Sequence, residues 1–530
     1  MARLLHELIL EQADHCPAAT AITHRQSQLD YAALAKQIQT VGRGLRALGL
    51  NRAERVAIYL PKRLETVVAL FGAALAGGVF VPINPLLKPE QVAYILRDCN
   101  VRILVTARDR ATLLEPALAD CPDLHTLVLT DTTTLAPQRP RPWRILDWPT
   151  LSDTPNGPAP ARIIDSDIAA ILYTSGSTGK PKGVVLSHRN LLTGAQSVAE
   201  YLGNQPDDRI LAVLPFSFDY GLSQLTTAFV AGARAVLMDY LLPRDVINTV
   251  TREGITGLAA VPPMWVQLAP LEWPEAAATS LRYFTNSGGA MPRATLAALR
   301  RALPHTTPYL MYGLTEAFRS TYLPPEEIDR RPDSIGKAIP NAEILVVRDD
   351  GAPCAPGEPG ELVHRGSLVA LGYWNDPVKT AERFRPAPGQ LPGLPLPELA
   401  VWSGDTARTD EEGFLYFIGR KDDMIKTSGY RVSPTEVEEI LYGSGQVAEA
   451  AALGIPHPTL GQAIVAVIKP LRETLSENAL IAHCKQHLPN FMVPLRVIAR
   501  AGDLPRNPNG KIDRKALVEE LRALFPEPPP

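Results

Sequence analysis

Short apolar runs recur through the first four hundred positions of the chain. Arg55-Val-Ala-Ile-Tyr-Leu60, Val101-Arg-Ile-Leu-Val105, Ile210-Leu-Ala-Val-Leu214 and Ala235-Val-Leu-Met238 each have the length and β-branched content of a buried strand. Segments with helical spacing lie between them, as in residues 293–302. Alternation of this kind predicts an α/β fold with layered, buried sheets. Leu4-Leu5-His-Glu-Leu8-Ile9-Leu10 predicts an opening helix. Residues 66–87 carry no charge, which is long enough to span a bilayer. Gly72, Gly77, Gly78 and Pro82 interrupt that run, so we expect a buried helix followed by a buried strand.

The last hundred residues read differently. Residues 432–442 suit a helix opened by Ser433 and Pro434 with Glu436 in its first turn. Residues 465–468 suit a strand, and 475–488 a second helix. We expect a large N-terminal domain over residues 1–419, a hinge at 420–423 and a small, mobile α+β lid over 424–530.

At 530 residues, 45% apolar and 21% charged, the chain has the composition of a globular protein with a large core. Its net charge of −3 offers no basic surface for nucleic acid. Residues 137–160 and 386–397 are proline-rich connectors, and 526–530 a frayed tail. The five cysteines form no C-x-x-C pair, which suggests free thiols and a cytoplasmic setting. The N-terminus lacks a secretory h-region.

One stretch concentrates chemistry. Tyr173-Thr-Ser-Gly-Ser-Thr-Gly-Lys-Pro-Lys-Gly183 holds three glycines, four Ser/Thr hydroxyls and two lysines between two apolar runs. Glycines let backbone approach a ligand, N–H and hydroxyl groups donate to phosphate oxygens, and lysine supplies charge. A plain hairpin turn needs none of this. The P-loop of nucleotide hydrolases, G-x-x-x-x-G-K followed by Ser or Thr, is excluded: Gly176 and Gly179 are too close, and Pro181 follows Lys180.

The loop instead resembles that of the adenylate-forming enzymes: acyl-CoA synthetases, adenylation domains of nonribosomal peptide synthetases, and luciferases. Further segments resemble the family's motifs, in its order. These are Leu214-Pro-Phe-Ser-Phe-Asp-Tyr-Gly221, Asn286-Ser-Gly-Gly-Ala290, Met311-Tyr-Gly-Leu-Thr-Glu316, Ser403-Gly-Asp405, Gly419-Arg-Lys-Asp-Asp-Met-Ile-Lys426 with Gly429-Tyr-Arg431, and Pro505-Arg-Asn-Pro-Asn-Gly-Lys511. The wording at 216–224 and 310–324 also resembles the AMP-forming ligases that accompany exosortase systems.

The resemblance implies ATP and Mg2+ as cofactors, and formation of an acyl-adenylate with loss of pyrophosphate. On it, Thr174, Ser175, Gly176, Ser177, Thr178, Gly179, Lys180 and Lys182 hold the departing phosphates. Glu316 binds magnesium and Thr315 meets the α-phosphate. Gly288, Gly289, Tyr312 and Gly313 frame adenine, Asp405 and Arg420 take the ribose, and Lys511 bridges carboxylate and phosphate. Asp422 is the pivot of a lid rotation that would withdraw Lys511 and bring in Lys426, with Ser428 and Gly429 lining the passage of a CoA or carrier-protein phosphopantetheine arm. Each of these residues alone has an ordinary reading, as a surface Glu, a core Tyr or a loop Asp; their joint occurrence carries the assignment.

The same comparison places Phe218, Asp219, Tyr220, Ser223, Ala260, Asn286, Met311, Arg319 and Ser320 around the acyl substrate. Asp219 stands where peptide-synthetase domains hold an α-ammonium, which favours an amino acid over a fatty acid. A buried Arg319 needs a partner, either Asp219 or a second acidic group on the substrate. Fatty or aryl acyl-CoA synthesis, luciferase-type oxygen chemistry and a non-catalytic adenylate-binding protein remain alternatives. His483 and His487, four apart, suit an exposed helix face better than a metal site, and His188 suits a structural role. No membrane span is expected.

Overall fold

The computed structural model describes residues 2–131, 143–153, 161–174, 181–391, 393–420, 423–427, 430–458, 460–472, 475–507 and 511–525. Two large sheets dominate. In the first, Thr20–His24, Arg234–Leu237, Arg209–Ala212, Gly257–Ala260, Tyr283–Asn286 and Thr307–Tyr312 run parallel and adjacent in that order. Antiparallel strands close its two edges: Ser27–Asp30 at one, Thr321–Leu323 and Lys337–Ala338 at the other. In the second, Arg144–Asp147, Thr126–Leu129, Val101–Thr106, Arg55–Tyr59, Val79–Pro82 and Ile168–Thr174 run parallel, and Lys182–Ser187 pairs antiparallel on Ile168–Thr174. Such sheets need apolar residues on both faces, which is why their strands read as continuous apolar runs.

The uncharged run becomes the helix Leu64–Leu75, buried from Thr66 to Leu75, followed by the buried strand Val79–Pro82. It lies against the helix Tyr31–Ala47 through glycines. A Cβ on Gly42 would come within 2.6 Å of Leu75, and one on Gly72 within 2.9 Å of Val41. Among the described residues no helix is long and apolar enough to cross a membrane.

The α/β alternation ends sooner than expected. After Tyr312 the strands Ala342–Val347, Gly360–Gly366, Leu399–Thr409, Phe384–Pro386 and Leu415–Arg420 form an antiparallel sheet. Turn residues replace crossover helices here: Asp349-Asp350-Gly351 closes back after the first strand, with Gly351 at φ 83°. The terminal region has its own sheet of Tyr430–Val432, Ile425–Thr427, Gly461–Pro470, Val447–His457 and Arg496–Ala499, covered by Pro434–Gly443, Glu477–His487 and Arg514–Leu521. Ser433 sits at the N-cap of the first of these helices, but its side chain makes no cap hydrogen bond.

His188 is fully buried, and its Nδ1 accepts the Leu5 N–H at 3.1 Å. Its ring meets His6 edge-on, with centroids 6.1 Å apart. Burial, with His6 nearby, lowers His188 from 6.5 to about 3, and burial lowers His6 to about 4. The folded chain therefore keeps both rings neutral where the unfolded chain protonates them. Their contribution is complete above pH 6.5 and is lost as pH falls towards 4. We expect a loss of about 2 kcal/mol per ring at pH 5. Thermal melting at pH 7 and pH 5 checks this. His188→Asn keeps an acceptor but does not titrate, so it should flatten the pH dependence; an unchanged slope would contradict it.

Candidate active site

Parallel strands deliver their C-terminal ends to one edge of the sheet, where ligands bind in open α/β folds. Gly257–Ala260, Tyr283–Asn286 and Thr307–Tyr312 are neighbours, so Ala260 and Asn286 end side by side and Tyr312 reaches two residues beyond Leu310, the partner of Asn286. Asn286 turns back at once, its amide donating to Gly289 O at 3.0 Å. Gly288 takes φ 82°, a left-handed conformation suited to glycine.

Tyr312 donates its hydroxyl to Asp405, which also accepts from Arg420 Nε at 2.9 Å. Asp405 and Arg420 face each other across paired strands. Burial opposes a charge on Arg420, but the Asp405 carboxylate outweighs it and raises the guanidinium above its ordinary value. Burial and then Asp405 raise the Tyr312 phenol. His364 stacks on Tyr312 with centroids 5.9 Å apart, and burial lowers its imidazole to about 4. Two aromatic rings beside a carboxylate and a guanidinium suit a purine nucleoside.

Thr174 and Lys182 pair at the foot of the glycine-rich loop. The loop itself, Ser175 to Lys180, lies outside the described residues, as do Asp422, Ser428, Gly429, most of the first proline-rich connector and the 526–530 tail. Lys182 Nζ lies 5.3 Å from the Tyr373 ring centroid, and Tyr373 donates its hydroxyl to Glu316 Oε1 at 2.6 Å. Through Tyr373 the loop's exit strand and Glu316 share one wall. Burial and the Glu316 charge raise the Tyr373 phenol. Among the described residues no cluster of three or more His, Cys, Asp or Glu could hold a metal ion. A magnesium ion held by one carboxylate and substrate phosphates fits that donor set. The His483 and His487 rings lie tilted at 36° with centroids 4.4 Å apart on the helix Glu477–His487.

Lys511 arrives from the terminal region. Its N–H donates to Asn507 Oδ1 at 3.1 Å and its carbonyl accepts Asn507 N–H at 2.8 Å. Buried carboxylates anchor both flanks: Glu449 accepts Leu504 N–H at 2.9 Å and the Arg506 guanidinium, and Glu438 accepts Arg514 at 2.6 Å. The helix Pro434–Gly443 docks on the body through Glu439, which accepts Arg293 N–H at 2.9 Å. Lys511 Cε then lies 3.9 Å from where a Gly288 Cβ would be. Although the residue as a whole stays open to solvent, burial of its ammonium end and the Arg420 charge lower it from its ordinary value. Asp219, Asp405 and Glu316 stand close enough to act the other way.

Phe218 caps the helix Asp219–Ala231. Gly221 lets this helix approach the preceding loop; a Cβ there would fall 1.9 Å from Pro215 O. Asp219 accepts the Thr315 hydroxyl at 3.2 Å and lies 3.7 Å from Arg319 Nη1. A mainly apolar cavity of about 30 Å³ is bordered by Val198, Leu202 and Ile210 as well as by Tyr220, Ser223, Met311 and Arg319. Ala260 does not line it, because strand alternation presents Ala259 instead. Phe218, Asp219, Asn286 and Ser320 also lie outside its lining. Lys426 belongs to the strand Ile425–Thr427, opposite Arg431.

Sequence reading missed His364, Tyr373 and Arg383. Arg383 donates to Trp402 O at 3.0 Å; burial lowers its guanidinium, but the Glu316 and Tyr373 charges raise it on balance. None of the three lies in a glycine- or hydroxyl-rich motif. The one weak sign was Gly372-Tyr373-Trp374, two aromatics behind a glycine.

The family model for AMP-binding enzymes matches residues 9–374, and that for the AMP-binding enzyme C-terminal domain matches 436–511. An L-proline--[L-prolyl-carrier protein] ligase of Pseudomonas fluorescens is 31% identical over 98% of this chain and 99% of its own. A long-chain-fatty-acid--CoA ligase of Salmonella typhimurium is 30% identical over 90% of this chain and 87% of its own. A linear gramicidin synthase of Brevibacillus parabrevis is 29% identical over 97% of this chain, which spans 10% of that protein's length. Among solved structures, an anthranilate CoA ligase in complex with anthranoyl-AMP superposes with a TM-score of 0.87 at 26% identity, covering 98% of this chain and 97% of its own. An o-succinylbenzoate coenzyme A synthetase of Bacillus subtilis with ATP and magnesium gives 0.80 at 26% identity, covering 96% and 98%.

Proposed function

The chain belongs to the adenylate-forming AMP-binding enzymes, and from that premise we propose that it activates an amino acid as its adenylate and passes it to a phosphopantetheine thiol. The observation that carries the choice of substrate is Asp219. Its carboxylate meets Thr315 and stands near Lys511, the group that takes the reacting carboxylate. A carboxylate in that place suits an α-ammonium one carbon away. Fatty-acid activation would call for a long apolar tunnel, whereas the cavity bordered by Arg319 is only about 30 Å³.

In the first half-reaction a substrate carboxylate oxygen attacks the α-phosphorus, and the bond to the bridging oxygen of pyrophosphate breaks. Two anions must meet, so the site's work is positioning and charge neutralisation. Lys511 holds carboxylate and phosphate oxygens together. Lys182 and the loop donors grip the leaving group, Glu316 would hold a magnesium ion that supplies positive charge to the phosphates, and Asp405 with Arg420 fixes the ribose. In the second, the thiol sulfur attacks the acyl carbonyl, AMP leaves with the carboxylate-derived oxygen, and the thiol proton passes to solvent.

A carrier protein is our choice of thiol bearer over free CoA. The lid, residues 424–530, turns about Asp422 between the two steps. All five cysteines are described, and all are unpaired, which suits the cytoplasm. Lys426→Ala should spare pyrophosphate exchange while slowing thioester formation about 100-fold. Equal loss of both would overturn the role given to Lys426. Pyrophosphate exchange into ATP across a panel of amino acids and simple carboxylic acids tests the reading as a whole; exchange with fatty or aryl acids alone would sink the amino-acid assignment.

A further inference from the structure

Arg319 is 3% exposed, and its Nε and Nη2 are buried with no hydrogen-bond partner among the described residues. Its guanidinium carbon lies 4.4 Å from the Tyr220 ring centroid, and its remaining nitrogen, Nη1, lies 3.7 Å from Asp219, beyond hydrogen-bond reach. The hydroxyl of adjacent Ser320 is buried and unpartnered as well. Buried charged donors without an acceptor are costly, and native proteins seldom keep them without a use. A pair with Asp219 alone would have closed to contact and satisfied both carboxylate oxygens. Instead one Asp219 oxygen goes to Thr315.

The charges follow a sequence. Lys511 is positive, Asp219 negative and Arg319 positive, from the reaction centre inward. A ligand that complements them is negative, positive, negative. The cavity that Arg319 borders, about 30 Å³, limits the far group to a short arm. We infer that the substrate is a short acidic α-amino acid whose side-chain carboxylate is received by the free guanidinium edge of Arg319. Planar N–H pairs of arginine match a carboxylate with two parallel bonds, which lysine does not do. This inference rests on the amino-acid reading above and narrows it.

The test is pyrophosphate exchange by the whole chain with L-aspartate, L-glutamate, L-asparagine, L-alanine and succinate. The expected result is highest kcat/KM with aspartate or glutamate, and little exchange with succinate, which leaves Asp219 without an ammonium. In Arg319→Met the preference for the acidic amino acid over alanine should fall about 100-fold, and Arg319→Lys should recover only part of it. Strongest exchange with alanine or asparagine, or an unchanged preference in Arg319→Met, would overturn the inference while leaving amino-acid activation in place. Exchange with succinate but no amino acid would overturn both. The wild-type panel decides the matter even where a variant folds poorly.

Discussion

Lys511→Ala is expected to lose about a hundred- to a thousandfold in pyrophosphate exchange, the scale of removing one preorganised donor from a developing charge. The reason is its place. The ammonium comes in beside Gly288 and within the field of Asp219, Asp405 and Glu316, where burial makes its charge costly to hold and strong in effect. Its loop is fastened at both flanks by Glu449 and Glu438, so the side chain can be lost without unfolding the lid. Thioester formation from supplied acyl-adenylate should change far less, since the proposed lid rotation would carry Lys511 away before that step. Retained exchange in the variant would remove Lys511 from the chemistry.

Asp405→Ala should act on the nucleotide. Asp405 is 5% exposed and joins Tyr312 to Arg420. In the proposed role its loss would remove the acceptor for two ribose hydroxyls, and it leaves the buried Tyr312 hydroxyl unpaired, at about 1–3 kcal/mol. The KM for ATP should rise about 100-fold while the KM for the carboxylate stays near its starting value. Steady-state exchange at varied ATP, with a melting curve as control, measures both. An unchanged KM for ATP would reject Asp405 as the ribose acceptor.

The sequence was most legible where local chemistry and local structure coincide. The helix Arg293–Ala302 spans the residues its spacing indicated, and the strands flanking the glycine-rich loop follow from its two apolar runs. The two parallel sheets are readable because burial on both faces writes itself as unbroken apolar runs. The antiparallel sheet that begins at Ala342 was not, since its strands mix polar and apolar residues, as in Gly360–Gly366 and Leu399–Thr409. The same limit hid part of the site. Tyr373 reaches Glu316 across 57 positions, and His364 meets Tyr312 only after the third sheet folds back. Ala259 and Ala260 are chemically identical, and only the pleat decides which one faces the cavity. Asp219 and Arg319 were visible as an unusual pair of charges, but their spacing and the idle edge of the guanidinium belong to three dimensions.

Attack of the substrate carboxylate on the α-phosphorus is the central step, and oxygen-18 follows that bond directly. The substrate acid is labelled in its carboxylate, turned over with ATP and a phosphopantetheine thiol, and the products are weighed. One labelled oxygen in AMP is the expected result. Label in inorganic phosphate with ADP as product, or no label in AMP, would contradict an acyl-adenylate and with it the roles of Lys511, Asp405 and the glycine-rich loop.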